Sequence, residues 1–453
     1  MQSGFAQEQQ QFLEQNPGLE SVDLLLVDLN GIVRGKRAPI SALSKLASGG
    51  LVFPRGTTLL DSLGRAAESL PWGVLDGDPD RPIAPVSGSL TPAPVRPTTD
   101  AQVLVYPREL DDSAWFACPR SVLQRQLDAL SRVGLVATVA VELEFYLFEP
   151  GSGDALVAAK GRENWPVFSG PQTYNLLQVE DHNAFISSVL EACTVAGIPA
   201  TSLLSEYGNG QFEINLAHLA DPMRACDHAI LMRRVVKTVA DHQNKIATFM
   251  AKPRADDSGN GLHIHVSLHR QDGSAVFDGT THAPGAALRH AIAGTLQTLP
   301  ASMALLGPNA NSWRRFNQGF YAPTEASWGL NHRQVALRVP MSDPTNLRLE
   351  HRVAGADANP YLAMAAVLAG VLYGLEQKEE PPEAVADGAL LHPGEPLPLR
   401  WREALFALRD ATAFSDRLGA EFVAAYVGMK LEEEMQFHAQ VGQVDLDHYV
   451  RTL

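Results

Sequence analysis

The chain has 453 residues, 45% of them hydrophobic and 19% charged, which is enough apolar sequence for a large core and excludes a disordered or fibrous protein. Its formal net charge of -15, with no basic cluster, excludes a general binder of nucleic acid or anionic membrane and leaves open only a local basic pocket for phosphates. The three cysteines, Cys118, Cys193 and Cys226, are widely spaced without a Cys-x-x-Cys, which excludes a disulfide framework or a thiolate metal site and points to a reducing compartment.

Met1 to Asn16 is rich in Gln and acidic residues and lacks the basic-then-apolar order of an export signal, so a cytoplasmic location is expected. Val22 to Asp28 and Ile32 to Arg37 flank Asn30-Gly31, which predicts a hairpin closed by a two-residue turn in a small β-rich N-terminal domain. Gly77 to Thr99 is dense in Pro, Gly and Asp and reads as loops, Val103 to Tyr106 as a short strand. A boundary near Trp115 divides the chain into 1–114 and 115–453. After Pro119, Val122, Leu123, Leu127, Leu130 and Val133 follow helical spacing up to Gly134. Phe185 to Cys193 repeats that spacing, and a longer helix is predicted from Pro222 to Lys245. Leu362 to Leu375 is too short and too rich in Ala and Gly for a membrane span and reads as a buried helix. Glu376 to Arg400 reads as an exposed loop before two C-terminal helices.

Between the first two helices, Val141 to Phe148 places Glu142 and Glu144 on one face of an otherwise apolar, aromatic strand. Two carboxylates that close resist joint ionisation unless a cation neutralises them. Three other segments offer partners. Ser205 to Leu216 sets Glu206 before a glycine turn and Glu213 on the strand after it; Gly259 to Leu268 sets His263, His265 and Ser267 on one face; Leu347 to Val353 does the same with Arg348, Glu350 and Arg352. Each alone has an ordinary explanation: a wet strand face, a hydrogen-bonded core histidine, a cross-strand ion-pair ladder. Together, five Glu and one His make two hard-cation sites suited to Mg²⁺ or Mn²⁺. Paired ions of this kind clamp a phosphoryl group in transfer, and the arginines between residues 311 and 352 are suited to carboxylate and phosphate oxygens. No Gly-x-x-x-x-Gly-Lys-Ser/Thr loop is present, so a nucleotide must be held without one.

The order Glu-x-Glu-Phe, Glu206-Tyr-Gly-Asn-Gly-Gln-Phe-Glu213, Gly-x-His263-x-His265-x-Ser267, Asn311-Ser-Trp-Arg-Arg315 and Arg348-x-Glu350-x-Arg352 resembles glutamine synthetase over nearly the whole chain. The resemblance implies an α+β protein: a small N-terminal β-grasp domain and a large C-terminal catalytic domain with a curved antiparallel sheet flanked by helices. It implies one metal on Glu144, Glu206 and Glu213 and a second on Glu142, His263 and Glu350, with two to three Mg²⁺ or Mn²⁺ in all. It places Gly259, Arg315 and Arg352 on glutamate, and His265, Ser267, Arg333 and Arg338 on ATP and its transferring phosphate, Arg333 and Arg352 being the catalytic arginines. It also implies a homo-oligomer, a dodecamer of two hexameric rings with active sites at subunit junctions.

Two departures from that pattern concern the amine. Ammonia-using relatives carry Gly-Tyr-Glu-Ala-Pro in a flap where this chain reads Gly319-Phe320-Tyr321-Ala322-Pro323, so an aromatic replaces the flap acid. The N-terminal loop that supplies a neighbour's ammonium-binding Asp is altered to Leu60-Asp61-Ser62-Leu63-Gly64, which leaves Asp61 as the candidate base. Similarly altered relatives are the γ-glutamyl-amine ligases of polyamine and monoamine breakdown. The expected activity is an ATP-dependent ligase joining L-glutamate to a polyamine, diamine or monoamine. The alternatives are an ammonia-using glutamine synthetase, a non-catalytic family member and a metallohydrolase built on the same acids.

Overall fold

The computed structural model describes residues 2–151, 156–162, 170–316, 321–389 and 394–453, and two β-sheets organise it. In the N-terminal sheet, Ser21–Val27 runs antiparallel to Val33–Pro39 and parallel to Asp100–Pro107, with Asp80–Pro85 and Val52–Pro54 beyond. Ser21–Val27 is apolar almost throughout because both of its faces are covered. Val22, Leu24 and Leu26 enter a core closed by Phe5, Phe12, Leu43 and Leu46, while Leu25 and Val27 enter the main core of the molecule.

The hairpin turn differs from the two-residue form that Asn30-Gly31 suggests. Asp28 N donates to Ile32 O at 3.0 Å and Gly31 N to Asp28 O at 3.0 Å, with Gly31 at φ 74°, so three residues bridge the strands and the glycine takes the left-handed position. The proline-rich stretch from Gly77 to Thr99 is not wholly loop either. It contains the strand Asp80–Pro85 and the short strand Thr91–Pro92. Pro82 fits because it is needed only as an acceptor, its O taking Arg108 N at 2.9 Å, while Ile83 N supplies the donor to Leu51 O at 3.0 Å.

The second sheet runs in the order Trp328–Leu330, Leu337–Val339, Leu349–His351, Leu262–Arg270, Leu135–Glu149, Gln211–Leu216, Ala200–Ser205, and is antiparallel except for its first pair. Its central strand, Leu135–Glu149, alternates from Ala137 to Phe145: Ala137, Val139, Val141, Leu143 and Phe145 are buried and the even positions between them face the other way, while beyond Phe145 both faces are covered. Helices Pro119–Arg132 and Pro222–His242 pack on the buried face, and Ala286–Leu306 pairs with Pro360–Gln377, the buried helix read from Leu362 to Leu375. Ala286–Leu306 escapes a sequence reading because Gly294 and Pro300 interrupt its pattern. Four helices, not two, follow residue 400: Trp401–Asp410, Thr412–Leu418, Ala420–His438 and Gln443–Tyr449, the first three separated by Ala411 and by Gly419 at φ 108°. The result is a mixed α+β protein whose large sheet offers one helix-covered face and one face of polar side chains. No helix among the described residues is long and apolar enough to cross a membrane, and all three cysteines are buried and free of disulfides.

Candidate active site

Antiparallel register builds a ladder of acids and imidazoles on the polar face. Glu213 lies opposite Glu144, Asn215 and His263 flank Glu142 from the two neighbouring strands, His265 lies opposite Glu350, and Glu350 opposite Arg338. His263 Nδ1 is 3.1 Å and His265 Nε2 3.0 Å from the two oxygens of Glu142. Arg348 Nε donates to His265 Nδ1 at 3.3 Å, so His265 carries its proton on Nε2 and donates it to Glu142. His263 likewise donates from Nδ1, which leaves its Nε2 lone pair facing Glu144 at 3.9 Å.

The charges on this face are not balanced by protein groups alone. Burial, and then the charges of Glu142, Glu144 and Glu206, pushes the Glu213 carboxyl up to about 10. Burial and the Glu144 charge push Glu206 up to about 7. Glu350 is opposite in sign: burial raises it, but Arg352, His265, His263 and Arg338 outweigh burial and hold it at about 2. Glu142 is also held low, its two histidine hydrogen bonds overcoming burial. Potential ligand atoms of Glu142, His263 and Glu350 lie within 4.8 Å of one another, and so do those of Glu144, Glu213 and His263. Glu206 falls outside both groups, where the expected set had it in place of His263.

The arginines divide. Arg315 is buried, with Nη1 donating to Val353 O at 2.7 Å, and it lies against Gly259, where a Cβ would stand 2.8 Å from its Cγ and 2.6 Å from Ala251 O. Arg352 donates to Glu350 and, through Nε, to Arg333 O at 3.1 Å. Arg338 donates to Glu350 at 2.8 Å and to Asn331 at 2.7 Å. Beside the ladder lies a cavity of about 320 Å³ lined by Glu142, His265, Ser267, Arg348, Thr138 and Asn346 among others; Arg333, which is exposed, and Arg338 do not line it.

Two expected residues stand apart from the ladder. Asp61 is buried in its own loop, Oδ1 accepting from Leu63 N at 2.9 Å and Arg65 N at 2.8 Å, and Oδ2 from Arg65 Nε at 2.7 Å. Both oxygens thus close a turn that stands apart from the same chain's ladder. Tyr321 is 61% exposed, and the flap residues before it, Gly319 and Phe320, lie outside the described residues. Gln211 and Asn215 went unread in the sequence although they share the period of Glu213. Gln211 Nε2 reaches Gly259 O at 3.0 Å and Asn260 Oδ1 at 2.9 Å, and Asn215 Nδ2 reaches Glu142 at 3.4 Å.

Residues 116–449 match the family described as glutamine synthetase, catalytic domain. Gamma-glutamylputrescine synthetase PuuA of Escherichia coli (strain K12) is 40% identical over 98% of this chain and 94% of its own length. Glutamate–isopropylamine ligase of a Pseudomonas species is 30% identical over 97% and 96%. The solved structure of apo GmaS without ligand has a TM-score of 0.83 at 25% identity, covering 97% of this chain and 98% of that one.

Proposed function

The chain belongs to the glutamine synthetase family, and we propose that it is a carbon–nitrogen ligase that joins the γ-carboxyl of L-glutamate to an organic amine at the cost of ATP. The observation that carries the reading is the single sheet face on which five of the six expected ligands and Arg338 meet, with Arg352, just past the strand Leu349–His351, bonded to Glu350. Glutamate is held at Arg315, Gly259 and Arg352, and the nucleotide along the 320 Å³ cavity at His265 and Ser267. Arg333 and Arg338 neutralise the γ-phosphoryl as it passes to the glutamate carboxylate, giving γ-glutamyl phosphate, and the amine then displaces phosphate. The donor set fits hard dications, since it is dominated by carboxylate oxygens, and burial together with their mutual repulsion holds Glu213 protonated. Glu144, Glu206, Glu213, Glu142, His263 and Glu350 would hold two to three Mg²⁺ or Mn²⁺, which supply Lewis-acid neutralisation of phosphoryl charge. Organic amine is favoured over ammonia because both named relatives act on amines and because Tyr321 occupies the flap-acid position. We further propose a cytoplasmic dodecamer in which Asp61 reaches the amine only across a subunit junction.

Two tests follow. At pH 7 the metal-free protein carries Glu213 protonated, so Mg²⁺ binding releases on the order of one proton per site, read by calorimetry in two buffers of different ionisation enthalpy. The sign in stability is fixed too: an acid raised from 4.5 to about 10 weakens the metal-free fold as pH climbs across that window. Binding without proton release removes Glu213 from the ligand set. In a phosphate-release assay with putrescine, spermidine, isopropylamine, ethanolamine and ammonium, an organic amine gives the highest kcat/KM. Tyr321→Glu raises kcat/KM for ammonium about tenfold, the effect of some 1.4 kcal/mol of added charge stabilisation. Ammonium as the best substrate of the unaltered enzyme overturns the amine assignment and leaves the family.

A further inference from the structure

A second cleft, of about 410 Å³, opens where the N-terminal hairpin meets helix Pro222–His242, and it shares no lining residue with the acid–imidazole ladder. Asn30 and Gly31 come to it from the hairpin, Arg233, Arg234 and Lys237 from the helix, and Lys430 from the C-terminal helix Ala420–His438. Its charges are unevenly matched. Arg234 is paired with Asp23 at 2.6 Å, and Lys430 with Glu433 at 2.8 Å and with Asn30. Among the described residues Arg233 and Lys237 form no such ion pair, although the Asp357 charge acts on Arg233 from within the lining. Arg233 is 8% exposed; its Nη2 donates to Ala358 O at 2.7 Å, and its Nε has no hydrogen-bond partner among the described residues. Lys237 is exposed at the mouth, and both cations lie over the Phe249 ring, at 5.8 and 5.9 Å. Asp357, an acid in the lining, is half-buried; its Oδ2 accepts from Asn309 Nδ2 at 2.8 Å and Ser312 Oγ at 2.7 Å, and its Oδ1 has no hydrogen-bond partner among the described residues.

We propose that this cleft is an anion site, in which Arg233 and Lys237 together hold a small doubly charged oxyanion, a phosphate group or a dicarboxylate. The geometry suits it: a planar fork with an unpartnered Nε at the base and an ammonium at the rim. The electrostatics agree, because burial pushes the Arg233 guanidinium down to about 10, a cost that a bound anion relieves. An occupant would also bridge the two sheets' domains at the seam where Asn359 Nδ2 donates to Asp28 O at 2.9 Å.

The test is titration of inorganic phosphate, and separately succinate, into full-length protein saturated with ATP and Mg²⁺ in the absence of glutamate, so that the reaction's own phosphate position is filled. Lys237 is exposed, so Lys237→Gln leaves the fold intact. It should weaken binding of the preferred anion about tenfold or more, while Lys237→Arg stays within about threefold. Tungstate soaked into crystals should appear between Arg233 and Lys237. Equal affinity in the unaltered protein and Lys237→Gln, no binding of either anion, or tungstate absent from the cleft overturns the proposal.

Discussion

Replacing Glu142 with glutamine is expected to lower kcat/KM by about a thousandfold or more for every amine, ammonium included, while the protein still folds. Glu142 accepts from His263 Nδ1 at 3.1 Å, His265 Nε2 at 3.0 Å and Asn215 Nδ2 at 3.4 Å, so three donors converge on one carboxylate. A glutamine has one acceptor oxygen, and its amide would present N–H to one of the imidazoles. Either that imidazole turns away or its proton moves to the other nitrogen, and for His263 the second outcome removes the Nε2 lone pair that faces Glu144. The substitution thus takes away one negative donor and disorders a second, and outer-shell changes of this kind alone typically cost 10–100-fold, about 1.4–2.8 kcal/mol, in metal affinity. The cost in fold stability should be smaller, about 1–3 kcal/mol for unsatisfied donors. Thermal denaturation separates the two effects. Activity within tenfold of the unaltered enzyme, with the fold intact, would remove Glu142 from the reacting centre.

The ladder was legible in the sequence because side-chain alternation survives any placement of a strand. Glu142 and Glu144, His263 and His265, and Glu350 and Arg352 each read as one face from spacing alone. Register was not legible. That Glu213 faces Glu144 and His263 faces Glu142 depends on pairings between segments separated by tens to more than a hundred residues, which no local pattern encodes. The same limit explains the grouping of His263, rather than Glu206, with Glu144 and Glu213: Glu206 lies past the end of strand Ala200–Ser205, where alternation no longer fixes direction. Local chemistry misled where tertiary context overrode it. Asn30-Gly31 has the composition of a tight turn, but Asp28 takes the backbone N–H groups of Asn30 and Ile32 at 2.9 Å each and widens the loop. The cationic cleft was beyond sequence reading altogether, since Asn30, Arg233 and Lys430 are brought together only by the packing of the hairpin, helix Pro222–His242 and helix Ala420–His438.

Glu350→Ala is expected to destabilise the metal-free protein by about 3–5 kcal/mol, seen as a lower urea midpoint at unchanged slope, and to abolish ligase activity as well. Two views of the same ion pairs give that size. Structurally, Glu350 is 1% exposed and is the carboxylate partner of both Arg338 and Arg352, so its loss strands two largely buried guanidinium groups. By linkage, a carboxyl held at about 2 in the fold against 4.5 unfolded contributes about 3 kcal/mol. Because the folded value is the depressed one, that contribution is fully present above pH 4.5 and is lost as pH falls through about 2. Acid titration therefore distinguishes the electrostatic account from a packing account. If the ion pairs carry the effect, the stability difference between the unaltered protein and Glu350→Ala narrows as pH is lowered from about 5 toward 2, since protonation does to Glu350 what the substitution does. If the cavity left by the side chain carries it, the difference stays constant over that range. A pH-independent gap would show that Glu350 fills space, and that the depressed carboxyl, with the charge balance of Arg338 and Arg352 that it implies, does not hold this end of the ladder together.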